Sequence, residues 1–210
     1  MARVLIWSFA IRAKGRHGLK PSAPGPATGL TSQLRAATRR AHDHVDGAFP
    51  NRLDSHAAYV RYLTAILPLA QWLHDSWRPA WPGLAGWHEA ARVRHLEADL
   101  SHLGASPVRG SSPNTAASAA EWLGGSYVLE GSAMGARLLA RDLDRLQSSQ
   151  PLIAGARSFI DSLVGDPRRW ARFRHVLDSL PDHHAAAAMR GALRGFGIVE
   201  HQLDAMEAAA

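Results

Sequence analysis

A segment patterned as a helix carries four glycines, and this conflict constrains the fold more than any other feature of the sequence. The segment, residues 124–139, reads GGSYVLEGSAMGARLL, and leucines at three- and four-residue steps continue the helical pattern to Leu146. Each glycine inside a helix costs about 1 kcal/mol relative to alanine. Gly131 and Gly135 are four residues apart, so they lie on one face of the helix. A face without side chains lets either another helix or a flat ligand touch the backbone, and the spacing leaves both interpretations open.

The rest of the chain favours an all-α fold in a single domain. Its 210 residues are rich in alanine and leucine and show helical spacing, with no alternating β-branched runs. Seven or eight helices are predicted, over about 31–48, 54–77, 87–103, 115–146, 151–164, 167–179 and 182–208. Asn114 or Thr115 is predicted to cap the fourth of these helices. Residues 1–30 contain three prolines among glycines, which is typical of a linker. We therefore expect a disordered extension at 1–30 and a helical domain at 31–208.

Composition excludes several kinds of site and partner. The formal net charge is +6, and the arginines are spread along several helices. This distribution predicts a basic surface that suits acidic proteins or anionic ligands, and it predicts no binding of nucleic acid. With no cysteine, the chain has no disulfide, thiolate ligand, iron–sulfur cluster or cysteine nucleophile. The apolar run at residues 4–11 is too short to span a bilayer, so we expect a cytoplasmic protein with no membrane partner.

One histidine stands out because of the residues that share its helix face. Arg35 and Arg39 precede His42 by seven and three residues, and Asp46 follows it by four. A carboxylate one turn away can orient an imidazole for metal binding, and cations on the other side suit the acidic groups of a ligand. An ordinary surface helix with a His–Asp pair carries the same pattern. Together with the glycine face, the pattern allows a planar iron macrocycle bound by His42, with its far side against the two glycines.

Three segments resemble the heme oxygenase family. LRAATRRAHDHVD at 34–46 is similar to the proximal-histidine helix of the family, and YVLEGSAMGA at 127–136 is similar to the distal helix of its bacterial branch. RHLEADLSHLG at 94–104 also resembles the bacterial branch. The likeness extends over about residues 31–205, with the segments in the family's order. It implies a single-domain, heme-oxygenase-like helical bundle in which heme lies between a proximal helix and a kinked distal helix.

The resemblance also implies roles for individual residues. His42 would be the proximal iron ligand, with Asp46 as its orienting partner. Arginines would hold the heme propionates, and the candidates are Arg35, Arg39 and Arg174. An aromatic residue, Phe196, would lie at the heme edge. The distal side would be lined by the candidate catalytic residues Gly131, Ser132 and Gly135.

Three positions depart from the patterns of parts of the family. Ser132 stands where animal and cyanobacterial members carry an aspartate, Ala136 where bacterial members often carry a glycine, and Trp170 where animal members carry a lysine. These differences bear on the distal water network and on the choice of the meso carbon that is attacked, rather than on heme binding.

The family reaction is the oxygen-dependent opening of heme to biliverdin, carbon monoxide and ferrous iron, with heme as both cofactor and substrate. The sequence has no flavin, nicotinamide or iron–sulfur motif, so electrons would come from a ferredoxin, flavodoxin or reductase with an acidic docking surface. The departures leave open a heme carrier or sensor without turnover. A thiaminase-like hydrolase would need a nucleophilic cysteine, and for a di-iron oxidase Glu130, Glu200 and His201 are too sparse.

Overall fold

The computed structural model describes residues 29–81, 83–88, 90–107 and 115–209. Within these ranges the chain forms eight α-helices and no β-strand, which confirms the predicted all-α class. The helices are α1 (Leu30–Ala37), α2 (Arg39–Gly47), α3 (His56–Ser76), α4 (Ala90–His102), α5 (Ala119–Leu146), α6 (Ser158–Val164), α7 (Arg169–Asp178) and α8 (Ala185–Ala208). Short 3-10 turns lie at Ala85–Trp87, Pro151–Gly155 and Asp182–His184. The predicted extension lies, up to residue 28, outside the described residues.

The first predicted helix is in fact two helices. Thr38 separates α1 from α2, with φ −94° and ψ 6°. Its hydroxyl donates a hydrogen bond to the carbonyl oxygen of Leu34 at 2.8 Å, and a threonine bonded in this way often bends a helix. The first helix begins at Leu30, whose side chain is buried in the core. Because of the break, Arg35 and His42 lie on different helices rather than on one continuous face.

The other helix boundaries follow local sequence patterns, with one correction. Pro68 lies inside α3 without ending it. The cap of α5 is Ser118, whose Oγ accepts a hydrogen bond from the backbone N–H of Glu121 at 3.2 Å. The predicted cap, Asn114 or Thr115, is therefore placed too early: Asn114 lies outside the described residues, and Thr115 precedes the start of the helix.

Glycines bring the backbones of α5 and α8 into contact. A Cβ on Gly124 would lie 1.9 Å from the carbonyl oxygen of Ala188 on α8. A Cβ on Gly191 of α8 would lie 1.9 Å from the carbonyl oxygen of Glu121 on α5. Neither position has room for any side chain, so the two helices cross at van der Waals distance.

The second glycine of the segment, Gly125, also lies at a helix contact. A Cβ on Gly125 would lie 2.2 Å from the ring of Trp72 on α3, so this glycine, like its predecessor, serves helix packing. Gly131 and Gly135 lie farther along α5, which continues as one α-helix through both positions. Helix packing explains the first pair of glycines, and the kink expected at the second pair remains a prediction.

The long helix α3 lies in the core and packs against α4, α5 and α8. Its largest side chains, Tyr59, Tyr62 and Trp72, are fully buried. The last helix, α8, also packs against α1 and α2, and so joins the beginning of the described chain to the core. In the part of the chain that the structure describes, no helix is both long and apolar enough to cross a membrane.

Candidate functional site

His42 lies on α2 with its ring against the last helix. The residue is buried, with 7% of its surface exposed. Its ring meets that of Phe196 on α8 edge to face, with 4.4 Å between the ring centroids and 61° between the planes. The two residues are predicted from segments at opposite ends of the chain, and the structure brings them into contact.

The surroundings of His42 keep its imidazole neutral. The pKa of His42 falls from 6.5 to about 4, mainly through burial and then through the charge of Arg35, while Asp43 opposes the shift. A neutral imidazole is the form that binds a metal, because protonation of both ring nitrogens leaves no lone pair for it. His42 therefore fits the role of an iron ligand at neutral pH.

This shift predicts a pH-dependent stability of the heme-free protein. Below pH 6.5 the unfolded chain binds a proton at His42 that the folded protein does not accept until about pH 4. The free energy of unfolding should therefore fall by roughly 3 kcal/mol as the pH is lowered through that interval, and should be fully recovered above it. Urea unfolding at a series of pH values measures the effect. A His42→Leu variant should lack this component, and equal pH slopes in the two proteins would contradict the prediction.

Tyr127, on the same helix as Gly131 and Gly135, has its phenol near the N-terminal helices. Tyr127 precedes Gly131 by four residues and Gly135 by eight, so the three lie along one face. Burial raises the pKa of the Tyr127 phenol, whereas the Thr38 hydroxyl and the charge of Arg35 lower it. The phenol therefore lies close to the junction of α1 and α2. Tyr127 is thus a neighbour of Thr38 and Arg35 that the sequence pattern does not indicate, although it shares the spacing of the two glycines.

Ser132 is buried and lies beside a tyrosine of α3. Its Oγ donates a hydrogen bond to the carbonyl oxygen of Leu129 at 2.7 Å. The Ser132 hydroxyl also lowers the pKa of Tyr62, which burial raises. Gly131 is buried and Gly135 half-buried on the same helix. The predicted distal serine is thus accompanied by a buried phenol, Tyr62, which the sequence pattern did not indicate because it comes from another helix.

The remaining candidates lie around this centre. Asp46 is buried one turn after His42 on α2. Arg39 is exposed at the first position of α2, and Arg174 is exposed on α7, which packs against α1 and α5. Exposed arginines on these helices suit the acidic edge of a ligand that reaches the protein surface. The roles of Asp46, Arg39 and Arg174 remain predictions.

The carboxylate next to Gly131 is held by two arginines. Among the described residues, no group of three or more histidine, aspartate and glutamate side chains could hold a metal ion. Glu130, the carboxylate closest to the distal glycines in sequence, forms ion pairs with Arg92 and Arg169.

The chain is similar to known heme oxygenases in sequence and in fold, although no protein-family model matches it. Over 104 residues, half of its length, it is 38% identical to a heme oxygenase from Xanthomonas campestris pv. campestris (strain 8004), and the match spans 61% of that protein. Its fold is similar to that of the NO- and CO-bound heme oxygenase from Neisseria meningitidis, with a TM-score of 0.60 and 22% identity, covering 84% of this chain and 91% of that one. The chain is thus a single helical domain with the fold of a solved heme oxygenase, and half of its length is similar in sequence to part of another heme oxygenase.

Proposed function

We propose that the protein is a heme oxygenase, which uses molecular oxygen to open heme to biliverdin, carbon monoxide and ferrous iron. The observation that carries this proposal is His42, a buried imidazole that is held neutral and packed against Phe196. The similarity in sequence and fold to heme oxygenases supports the same reaction.

Bound heme would supply the redox chemistry and the iron at which oxygen binds, while the protein supplies ligation, orientation and control of the distal side. His42 would hold the iron from α2, and the buried carboxylate of Asp46 would fix the orientation of its ring. Gly131 and Gly135 would leave room for the macrocycle on the α5 side, since glycine has no side chain to occupy that volume.

Arginine side chains would fix the rotation of heme in its plane. The charge of Arg35 acts on both His42 and Tyr127, so this guanidinium lies at the edge of the candidate site. A guanidinium binds a carboxylate through two parallel hydrogen bonds, which makes it well suited to a propionate. Arg39 and Arg174 would hold propionates in the same way. The rotation that they impose determines which meso edge faces the distal helix.

Two hydroxyls would hold protons on the distal side. Burial raises the pKa of Tyr62, so this phenol stays protonated and can donate at neutral pH. Ser132 directs its proton to the carbonyl oxygen of Leu129, and its oxygen can still accept a hydrogen bond from a neighbour. Together they form a short polar path next to Gly131 that requires no carboxylate.

The electrons would come from an external protein, either a ferredoxin, a flavodoxin or a reductase. A net charge of +6 favours a donor with an acidic docking surface, because opposite charges steer the encounter of two proteins. The absence of cysteine suits a reducing compartment, so we place the reaction in the cytoplasm.

A single-turnover experiment tests the proposal. Purified protein with one equivalent of hemin, under air and with a ferredoxin and its reductase, should lose the heme band while a biliverdin band grows. Extraction of the bilin identifies the isomer and hence the meso carbon attacked. A histidine-type heme spectrum that persists under these conditions would instead identify a heme carrier or sensor. Absence of hemin binding would overturn the heme-binding assignment itself.

A further inference from the structure

A buried ion-pair cluster holds α5 at the residue that immediately precedes Gly131. Glu130, with 2% of its side chain exposed, accepts hydrogen bonds from two arginines of other helices. The Nη1 atom of Arg92 on α4 lies 2.9 Å from Oε1. The Nε and Nη2 atoms of Arg169 on α7 lie 2.7 Å from Oε2 and 2.8 Å from Oε1, which is a bidentate pair. Three helices are thus joined at one carboxylate.

The cluster is charged in the folded protein. Burial alone would raise the pKa of Glu130, but the charges and hydrogen bonds of Arg92 and Arg169 outweigh burial, so its pKa is lowered. Ion pairs of this kind often contribute little net stability compared with apolar residues of the same size. Their directional hydrogen bonds can instead select one arrangement of the packed elements. The arrangement selected in this protein is that of α5 relative to α4 and α7.

The arginines are themselves held firmly. Arg92 lies in the first turn of α4 and is 3% exposed, and Arg169 is the first residue of α7. The guanidinium of Arg169 lies over the ring of Trp87, with 5.0 Å to the ring centroid. The next residue, Trp170, packs against Tyr127 of α5 at 5.8 Å between ring centroids. Because both arginines are held in this way, their hydrogen bonds to Glu130 can fix the position of α5 at this residue.

The ion pairs of Glu130 lie on a different side of α5 from the face that carries Gly131 and Gly135. Successive residues of an α-helix are about 100° apart around its axis, so Glu130 points to a different side than Gly131. The carboxylate therefore holds the helix from its flank, without entering the volume that heme would occupy. A small rotation of α5 at this point would move Ser132 and both distal glycines together.

We propose that Glu130, held by Arg92 and Arg169, is a positioning residue that fixes how α5 stands over the candidate heme site and thereby which meso edge of heme is opened. This inference rests on the proposed function. It extends that function by naming a determinant of regiochemistry that does not touch the substrate.

The test compares Glu130→Gln with Glu121→Gln. Glutamine keeps the size of glutamate but places an amide N–H₂ against an arginine donor, so one arm of the cluster is lost. Glu121 is a matched control, because it is also buried on α5 and lies 3.7 Å from Arg194, but it is more than two turns before the distal glycines. The biliverdin isomers formed in single turnover are separated and quantified, and hydrogen exchange of the backbone amides is measured in the heme-free proteins.

In Glu130→Gln the ratio of the main biliverdin isomer to the others should fall by roughly tenfold. A change of this size is expected if the free-energy difference between attack at the preferred meso edge and attack at the other edges falls by about the energy of one hydrogen bond. Amides at residues 131–135 should exchange faster, while those at 119–125 should be unchanged. Glu121→Gln should keep the parent isomer ratio and the parent exchange at 131–135. If Glu130→Gln fails to fold, Arg169→Lys keeps the positive charge, loses the bidentate geometry and should produce the same shift.

The two ways of failing are distinguishable. Biliverdin with the parent isomer ratio in both the Glu130 and the Arg169 variant would overturn the inference and leave the proposed function intact. A parent protein that forms no biliverdin at all would overturn the proposed function, and the inference with it.

Discussion

A His42→Ala variant is expected to lose the histidine-type heme spectrum and to form no measurable bilin. The family resemblance implies that this imidazole binds the iron, and the residue is buried on α2 with its pKa lowered, so it is already in the neutral form that can ligate. Removal of partners that merely orient a metal ligand costs 10–100-fold in affinity or activity, so loss of the ligand itself should lower activity by at least about 100-fold. Hemin titration followed by absorbance, and then single turnover, measures both effects.

The matched control for this variant is His44→Ala. His44 lies two residues later on the same helix, but its side chain is 52% exposed and points to the carboxylates of Glu200 and Asp204 at 3.7 and 3.5 Å. Its removal should leave the spectrum and the product unchanged. A parent-like spectrum in the His42 variant would show that the iron ligand has been assigned to the wrong residue.

The second large effect is expected at the crossing of α5 and α8. In a Gly191→Ala variant the new methyl group would lie 1.9 Å from the carbonyl oxygen of Glu121, and this obstacle is backbone that no rotamer change can move. The helices would have to separate, which we expect to cost about 3 kcal/mol. For a protein of this size, such a loss lowers the midpoint of thermal unfolding by about 10 °C. Thermal and urea unfolding of the heme-free protein measure the change.

Gly197→Ala on the same helix provides the control. A Cβ at Gly197 would meet no atom within 4 Å. Because alanine is a better helix former than glycine, this variant should be more stable than the parent by about 0.5–1 kcal/mol. The same substitution thus has opposite signs at Gly191 and Gly197. Similar losses at both positions would contradict the close contact of α5 with α8.

The glycine segment illustrates what spacing along a chain can predict. The helical pattern through residues 124–146 predicts α5, and it leaves two roles open for Gly131 and Gly135. The structure shows a helix-packing role for the first two glycines, because Ala188 lies opposite Gly124 and Trp72 lies opposite Gly125. Which residues lie opposite a helix depends on the crossing angle and the order of packing, and neither is encoded in local spacing.

The candidate site was predictable to a similar extent. The family resemblance pointed to His42 and Phe196, and the structure shows the contact between them. The sequence does not indicate that Tyr62 lies beside Ser132, because Tyr62 comes from another helix, nor that Tyr127 lies beside Thr38, because that contact depends on how the helices pack. Glu130 looked isolated in sequence for the same reason, since both of its arginines are far from it along the chain.

The break at Thr38 was missed for a different physical reason. The apolar spacing on both sides of this residue is compatible with one continuous helix, and threonine is only mildly unfavourable inside a helix. The hydroxyl bond to Leu34 and the packing of the two short helices on α8 together favour the break. Small local preferences of this kind are decided by the tertiary contacts of the folded protein.

The contact of α2 with α8 also affects how the protein is made. The second helix has nine residues, fewer than the about 12–15 that an isolated helix needs to be stable in water. It gains its support from α8, which follows the other described helices in the chain. During synthesis the helix with His42 leaves the ribosome long before α8 exists, so the histidine has no formed pocket in the nascent chain. On the proposed function, heme would therefore bind at His42 only after α8 has been synthesised, and until then the apolar side of α2 is available to chaperones.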